Sequence, residues 1–254
     1  ITWVDGASRW TFVGLQHYQA LADDTLLRAG LGNTIFFAVV STLTQMLLAF
    51  VLALFVSRIH RGRVLYRTLF ILPILVPAIV IGAIWKLMLN YDFGLVNDFI
   101  GLFGADPRNW LGERTMALWS VIVVDIWHWT PFCFLLLLAG FESLPQDVYE
   151  AARVDGVNTW SELRYMTLPL MLPTIAVTFG FRLILAFKVF DEIYLLTGGG
   201  PGTSTEVLSF TVYRRFFTQD RAGYGSAMSL FAMALIALLV IAALAGARRR
   251  QAQT

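Results

Sequence analysis

Apolar residues gather along this chain in five runs near 33–56, 68–89, 116–140, 169–190 and 225–246, separated by more polar stretches. A helix that crosses a bilayer needs about 20 mostly apolar residues. Each run meets that length, so the pattern predicts five membrane-spanning helices. No long alternation of apolar and polar positions, the mark of a half-buried strand, competes with them. The predicted fold is all-α and polytopic, a single transmembrane domain over 1–254, with no internal repeat, low-complexity tract or linker to mark a second one.

Composition points the same way. Of 254 residues 57% are hydrophobic and 14% charged, too apolar a balance for a soluble domain of this size. The net charge of +2 is too small, and the arginines too clustered, to indicate nucleic acid as a partner. Cys133 is the single cysteine, so an internal disulfide or a Cys-based metal site cannot form within the chain. His17, His60 and His128 are too dispersed to suggest a metal site. Trp85, Trp119 and Trp127 suit interfacial anchors, where tryptophan is enriched.

The arginines report topology, because Lys and Arg in short loops favour the cytoplasm. Arg58, Arg61, Arg63 and Arg67 follow the first run without an acid among them, and Arg248, Arg249 and Arg250 close the chain. Anchoring both inside puts 1–32, 91–115 and 191–224 outside and 141–168 in the cytoplasm. Arg214, Arg215 and Arg221 in the last outer segment run against the rule. The first residue is Ile1, placed outside, so at least one more spanning helix is expected upstream, giving six or more.

The 141–168 loop contains two helix signatures separated by a glycine. Pro145 can occupy the first turn of a helix, Gln146 to Val154 favour helix, and Gly156 stands where a helix commonly ends in a left-handed conformation. Thr159 and Glu162 are spaced as a capping box for a second helix, which leads to Leu168 and Pro169. On the first helix Val148, Ala151, Ala152 and Asp155 can share one side, and two alanines there allow close docking of a soluble partner. An amphipathic connector on the lipid surface is the plainer alternative, but it would need a broader apolar face with basic flanks.

These residues resemble a known pattern. Glu150-Ala151-Ala152, Gly156 and Leu168-Pro169 are similar to the EAA loop in permease subunits of bacterial ATP-binding-cassette (ABC) importers, with Met166 where that pattern favours isoleucine. Tyr149 to Gly156 resembles the carbohydrate-uptake branch, as does Trp129-Thr130-Pro131-Phe132. Val189-Phe190-Asp191 followed by Thr197-Gly198-Gly199-Gly200-Pro201 is similar to the maltose-permease-like first subunit of a transmembrane pair, and Gly14 to Tyr18 to the loop after that family's first helix. The resemblance implies a type I ABC importer permease fold in the bacterial inner membrane, multi-pass with a cytoplasmic C-terminus. It implies as partners a second homologous permease subunit, two cytoplasmic ATPase subunits, an extracytoplasmic solute-binding protein, the lipid bilayer and a sugar substrate. Docking of the ATPases would fall to Glu150, Ala151, Ala152, Asp155 and Gly156.

No cofactor is expected on this chain, and ATP and Mg²⁺ belong to the ATPase subunits. A P-loop needs Lys followed by Ser or Thr after spaced glycines, whereas the only lysines, Lys86 and Lys188, precede Leu87 and Val189. The glycines at 198–202 then read as a flexible turn ending the fourth span. Asp125 and Arg182 lie inside apolar spans, where an ionisable group suggests a cavity or a partner. Asp125, Trp129 and Phe132 share a helical side that would suit a polyhydroxylated ligand, while a structural Asp125–Arg182 ion pair is equally open. Lys188 and Glu192 are spaced for a helical ion pair at the outer rim. Two other functions compete. A membrane enzyme would need a nucleophile and base or a metal cluster, and no such constellation is recognisable; an ion-gradient-driven secondary transporter could use Asp125 as its coupling carboxylate.

Overall fold

The structure, a computed structural model, describes residues 2–4, 7–9, 12–59 and 61–251. Ile1 and His60 lie outside the described residues, as do the side chains of Arg63, Arg153 and Arg248 to Arg250. A small antiparallel hairpin, β1 (Thr2–Val4) with β2 (Ala7–Arg9), precedes an otherwise helical chain. Its order is α1 (Gln16–Asp23), α2 (Thr25–Arg58), α3 (Arg63–Leu75), α4 (Ala78–Met88), α5 (Leu95–Gly101), α6 (Arg114–Glu142), α7 (Gln146–Val154), α8 (Thr159–Glu162), α9 (Leu168–Phe187), α10 (Asp191–Leu196), α11 (Leu208–Tyr213) and α12 (Ala222–Gln251). Two π-helical turns, Leu163–Thr167 and Arg214–Thr218, join α8 to α9 and extend α11.

Among the described residues, α2, α6 and the stretch Thr159–Leu196 are long and apolar enough to cross a membrane. The fifth predicted span corresponds to α12, whose described apolar part is Ala222–Leu238. The single span expected at 68–89 is instead broken between α3 and α4. Val76 precedes Pro77, whose ring disfavours helical backbone in the residue before it, and Val76 is extended with φ −84° and ψ 128°. Helix α2 begins eight residues before the predicted run because Asp24 caps it: its Oδ1 accepts from the Leu26 and Leu27 amides at 2.9 and 3.0 Å.

The chain divides into two compact units, one of residues 1–40, 78–124 and 184–254, the other of 41–77 and 125–183. In the second unit Met46, Ala49, Ala53 and Val56 form a buried stripe on α2 that packs with Cys133, Phe134, Leu137, Leu138 and Phe141 of α6 and Met171 of α9. Small residues let these helices approach closely. A Cβ on Gly140 would sit 2.7 Å from Thr174 Cγ2, so α6 and α9 meet there only through glycine.

In the first unit Leu21, Leu27, Leu208, Tyr224 and Met228 form one buried cluster, and polar clamps lie beside it. Asn33 donates to the Thr203 and Glu206 carbonyls at 2.8 Å, and the Leu208 amide donates to Thr34 Oγ1. Asp24 Oδ2 accepts from Arg215 and from the Tyr224 hydroxyl, both at 2.8 Å, while Arg214 lies 3.2 Å from the buried Glu206 carboxylate. Two of the three arginines that oppose the charge rule are thus held by acids of the same unit. Burial pushes the Asp24 carboxyl up, but the Leu27 amide, the Tyr224 hydroxyl and Arg215 outweigh it and hold it below its ordinary value of 3.8.

A folded-state value below the unfolded one means that the Asp24 contribution is complete above that ordinary value and fades as pH falls through and below it. Asp24→Ala, which leaves Arg215 and two amides short of an acceptor, is expected to lower stability by about 1–3 kcal/mol at neutral pH. Thermal unfolding of the purified complex as a function of pH checks this: the difference between wild type and variant should shrink in acid.

Candidate functional site

Three spans of the second unit meet around one buried charge pair. Asp125 of α6 and Arg182 of α9 are each 1% exposed. Arg182 Nη2 donates to Asp125 Oδ2. Gln45 of α2, fully buried, completes the set: its Nε2 donates to Asp125 Oδ2 and to the Asp125 carbonyl at 2.9 Å, and its Oε1 accepts from Arg182 Nε at 2.6 Å. A charge pair in a low-dielectric interior needs further hydrogen bonds beside the pair itself, and a glutamine can donate to one partner while accepting from the other.

Of the alternatives for Asp125, the ion pair with Arg182 forms in the structure, and Asp125 Oδ2 is shared between Arg182 and Gln45. Trp129 and Phe132, half-buried on α6, meet edge to face with centroids 6.2 Å apart, and the Arg182 guanidinium lies over the Trp129 indole at 5.4 Å. Arg182 therefore links the polar knot to the aromatic pair. Gln45 escaped the sequence reading because a neutral amide in an apolar run carries less signal than a charge.

The loop between α6 and α9 folds largely as expected. Helix α7 starts directly after Pro145 and ends in a left-handed Gly156 with φ +74°. The Val157 amide bonds to the Ala152 carbonyl and the Asp155 amide to that of Ala151, both at 3.0 Å, which satisfies carbonyls the helix end would leave open. The following helix is capped by Asn158, whose side chain accepts from the Ser161 amide, and not by Thr159. Thr159 is already the first helical residue, so the expected capping box does not form.

The two alanines of the loop divide. Ala152 is buried at 7% exposure, whereas Val148, Glu150, Ala151 and Asp155 are exposed. Asp147, Val148, Ala151, Val154 and Asp155 recur at helical spacing on the outward face, and Val154 is 88% exposed. Ala152 instead belongs to the inward face with the half-buried Tyr149, whose hydroxyl donates to Thr167 Oγ1 at 3.1 Å. Trp160, 67% exposed at the start of α8, adds apolar surface that the spacing argument did not include. Behind the loop lies a cavity of about 730 Å³ bordered by Ser57, Arg58, Tyr149, Thr159, Glu162 and Thr167, with Arg58 and Glu162 paired at 3.1 Å.

The far end of α9 departs from the sequence expectation in two places. The helix stops at Phe187 and α10 starts at Asp191, so Lys188 and Glu192 lack the helical i,i+4 geometry; Lys188 is exposed and Glu192 buried. The glycine turn follows α10, with φ of +59°, +84° and +65° at Gly198, Gly199 and Gly202. It is pinned where the sequence suggested a flexible turn: Thr205 donates to the Gly200 carbonyl at 2.7 Å, and a Cβ on Gly199 would lie 2.5 Å from Glu206 Oε2. Among the described residues no cluster of His, Cys, Asp or Glu could hold a metal ion.

Comparison with known proteins gives one consistent picture. Residues 45–251 match the family described as binding-protein-dependent transport system inner membrane component. The chain is 37% identical over 240 residues to the trehalose/maltose transport system permease protein MalF of Thermococcus litoralis, covering 94% of this chain and 81% of that one. It is 31% identical to the sulfoquinovosyl glycerol transport system permease protein SmoG of Agrobacterium fabrum, covering 88% and 73%. Among solved structures, a bacterial alginate ABC transporter in complex with an alginate pentasaccharide-bound periplasmic protein superposes with a TM-score of 0.86 at 26% identity, covering 93% of this chain and 83% of that one.

The polar knot makes a sharp expectation. Asp125→Ala leaves Arg182 buried without its counter-charge and is expected to destabilise by about 3–5 kcal/mol. Replacing both partners, Asp125→Leu with Arg182→Met, together with Gln45→Leu so that no buried amide is orphaned, should recover most of that loss. Thermal unfolding of the purified variants measures it, and equal loss in the single and triple variants would show that the pair itself is not the source.

Proposed function

Since this chain belongs to the family of binding-protein-dependent transport system inner membrane components, we propose that it forms, with a second homologous permease subunit, the path for a sugar or related polyol. It is a multi-pass inner-membrane permease subunit of an ABC importer, a transport subunit rather than an enzyme. A solute-binding protein delivers the substrate from outside, two cytoplasmic ATPase subunits bind ATP with Mg²⁺, and the C-terminus lies in the cytoplasm.

The α7 loop carries this reading. Its outward face of Val148, Ala151, Val154 and Asp155 is exposed, its inward face is tied to Thr167, and Gly156 sets its exit direction. Such a helix can transmit displacement because it is held on one side and presented on the other. Glu150, at the edge of the exposed face, supplies a charged contact to the ATPase. ATP binding draws the two ATPases together and carries the loop with them, and the spans then exchange inward for outward access. An ATPase can bias these states only if its contacts differ between them.

On the substrate side, Trp129 and Phe132 offer aromatic faces, and the Asp125–Arg182–Gln45 knot orients Trp129 rather than binding sugar. The same knot argues against an ion-gradient mechanism. A coupling carboxylate must gain and lose an ion, and Asp125 shares its Oδ2 with a guanidinium and an amide.

Uptake in proteoliposomes containing the permease pair, the ATPases and the binding protein tests the assignment. Labelled sugar should accumulate only with internal ATP and should persist when proton and Na⁺ gradients are collapsed; uptake that follows a gradient without ATP would sink it. Within that assay Gly156→Val should uncouple transport. A Cβ at Gly156 meets nothing within 4 Å, so the change acts through the left-handed backbone, at about 1–2 kcal/mol. We expect assembly and basal ATP hydrolysis to survive while uptake per ATP falls.

A further inference from the structure

The segment after α4 wears its amphipathicity inside out. Helix α5 presents Leu95, Phe99, Leu102 and Phe103 along one side and into the turn that follows, spaced i, i+4, i+7 and i+8. These side chains are 61–81% exposed. The one buried residue of α5 is polar. Asn97, 6% exposed, donates to the Tyr91 and Arg108 carbonyls at 3.2 and 3.1 Å and accepts from the Arg108 amide and the Trp110 indole at 3.1 and 2.8 Å. Ser120 of α6 secures Trp110 through its carbonyl at 2.9 Å.

A loop in water would hide its phenyl rings and expose its amide; this one is built, by a network of hydrogen bonds around Asn97, to do the reverse. Contiguous exposed apolar surface of this kind marks an interaction surface. Its position says which. Residues 89–113 connect α4 to α6, and the exposed apolar side of α4 (Ile79, Val80, Ile84 and Leu87) leads into Tyr91 and Phe93, 52% and 62% exposed. The exposed apolar side chains thus run on along the chain from those of α4, which is long and apolar enough for a membrane only together with α3. Asp92, Asp98, Asp106 and Arg108 lie along the same loop, so the broad apolar face, and not a basic flank, is what would hold this segment to lipid. A helix with one apolar and one polar side lies in the interface plane with its apolar face among the acyl chains.

We propose that α5 and the turn after it are an interfacial anchor, lying flat on the bilayer with Leu95, Phe99, Leu102 and Phe103 in lipid and Asn97 bracing the segment from behind. The occupant of this face is phospholipid. That the leaflet is the outer one rests on the topology proposed above; that the helix lies in lipid does not.

Spin labels at Leu102→Cys, Phe103→Cys and, as the water-facing control, Asp106→Cys test this in the assembled importer in phosphatidylethanolamine–phosphatidylglycerol bilayers. The native Cys133 is fully buried, so the label goes to the introduced thiol. Collisions with oxygen should exceed those with a water-soluble nickel chelate at 102 and 103, with the order reversed at 106, whether or not binding protein is added. Dominant nickel access at 102 and 103 overturns the proposal, since the face then stands in water, and shielding on addition of binding protein would identify a soluble partner instead. Low access to both reagents overturns it too, by placing the face against protein. Nickel confined to the ATPase side that reaches 106 would reverse the topology yet leave the interfacial helix standing. If Leu102→Cys does not assemble, Leu95→Cys on the same side carries the measurement.

Discussion

Inside a bilayer no water is present to complete a half-met polar group, and that constraint governs the polar residues in the spans. Asp125 and Arg182 could not be tolerated singly, since each alone would be an uncompensated charge in hydrocarbon. As a pair they still leave donors and acceptors to satisfy, and Gln45 supplies one of each. The outcome is a knot that ties α2, α6 and α9 at one level, beside a core in which alanine and glycine let the same helices approach closely. Apolar packing permits many small slides of helix on helix. A polar triad with directional bonds across three helices favours one register, which is what a scaffold holding Trp129 and Phe132 in place requires.

The same constraint explains where helices stop. A break in a span frees backbone groups that need partners, so breaks are confined to places that supply them. Val76 is forced out of helix by Pro77. At Lys188 to Phe190 the amides of Lys188 and Val189 turn back to the carbonyls of Leu185 and Ala186, and Ser209 donates to the Val189 carbonyl. Beyond the break the glycine turn is closed by Thr205 and packed on Glu206, whose carboxyl burial pushes up against the opposing pull of Thr211 and Arg214. These irregular stretches are therefore defined structures, each with its own hydrogen-bond partners.

How far the sequence disclosed this depends on what kind of signal each feature leaves. Long apolar runs and charged residues inside them are loud, so the spans at α2, α6 and α9, Asp125 and Arg182 were legible, whereas the break before Pro77 within the 68–89 run was passed over. Gly156 was legible because a glycine after a helix-favouring run has few other reasons to be there. Quieter features were missed. Gln45 is polar but uncharged, and its role exists only once three helices converge. Asp24 caps α2 through a local bond, but hydropathy starts the span at its first apolar stretch, eight residues on. The division of Ala151 from Ala152 could not be read from spacing, because both fit the proposed face until Tyr149 and Thr167 fix which side of α7 turns inward.

Asn97 shows why the loops were harder to read than the spans. In a soluble protein an asparagine beside phenylalanines marks the outside of a helix, with the phenyl rings inward. The rule assumes that the surroundings are wet. In a chain whose solvent changes from hydrocarbon to water over a few residues, the same pattern can be satisfied by either orientation, and the choice falls to the hydrogen bonds. Asn97 can meet two carbonyls, an amide and an indole only by facing inward, and that gain turns Phe99 and Phe103 out. An outward phenyl is costly in water and favourable in lipid. The orientation of one amide therefore carries information about the medium on the other side of the helix, which neither hydropathy nor periodicity contains.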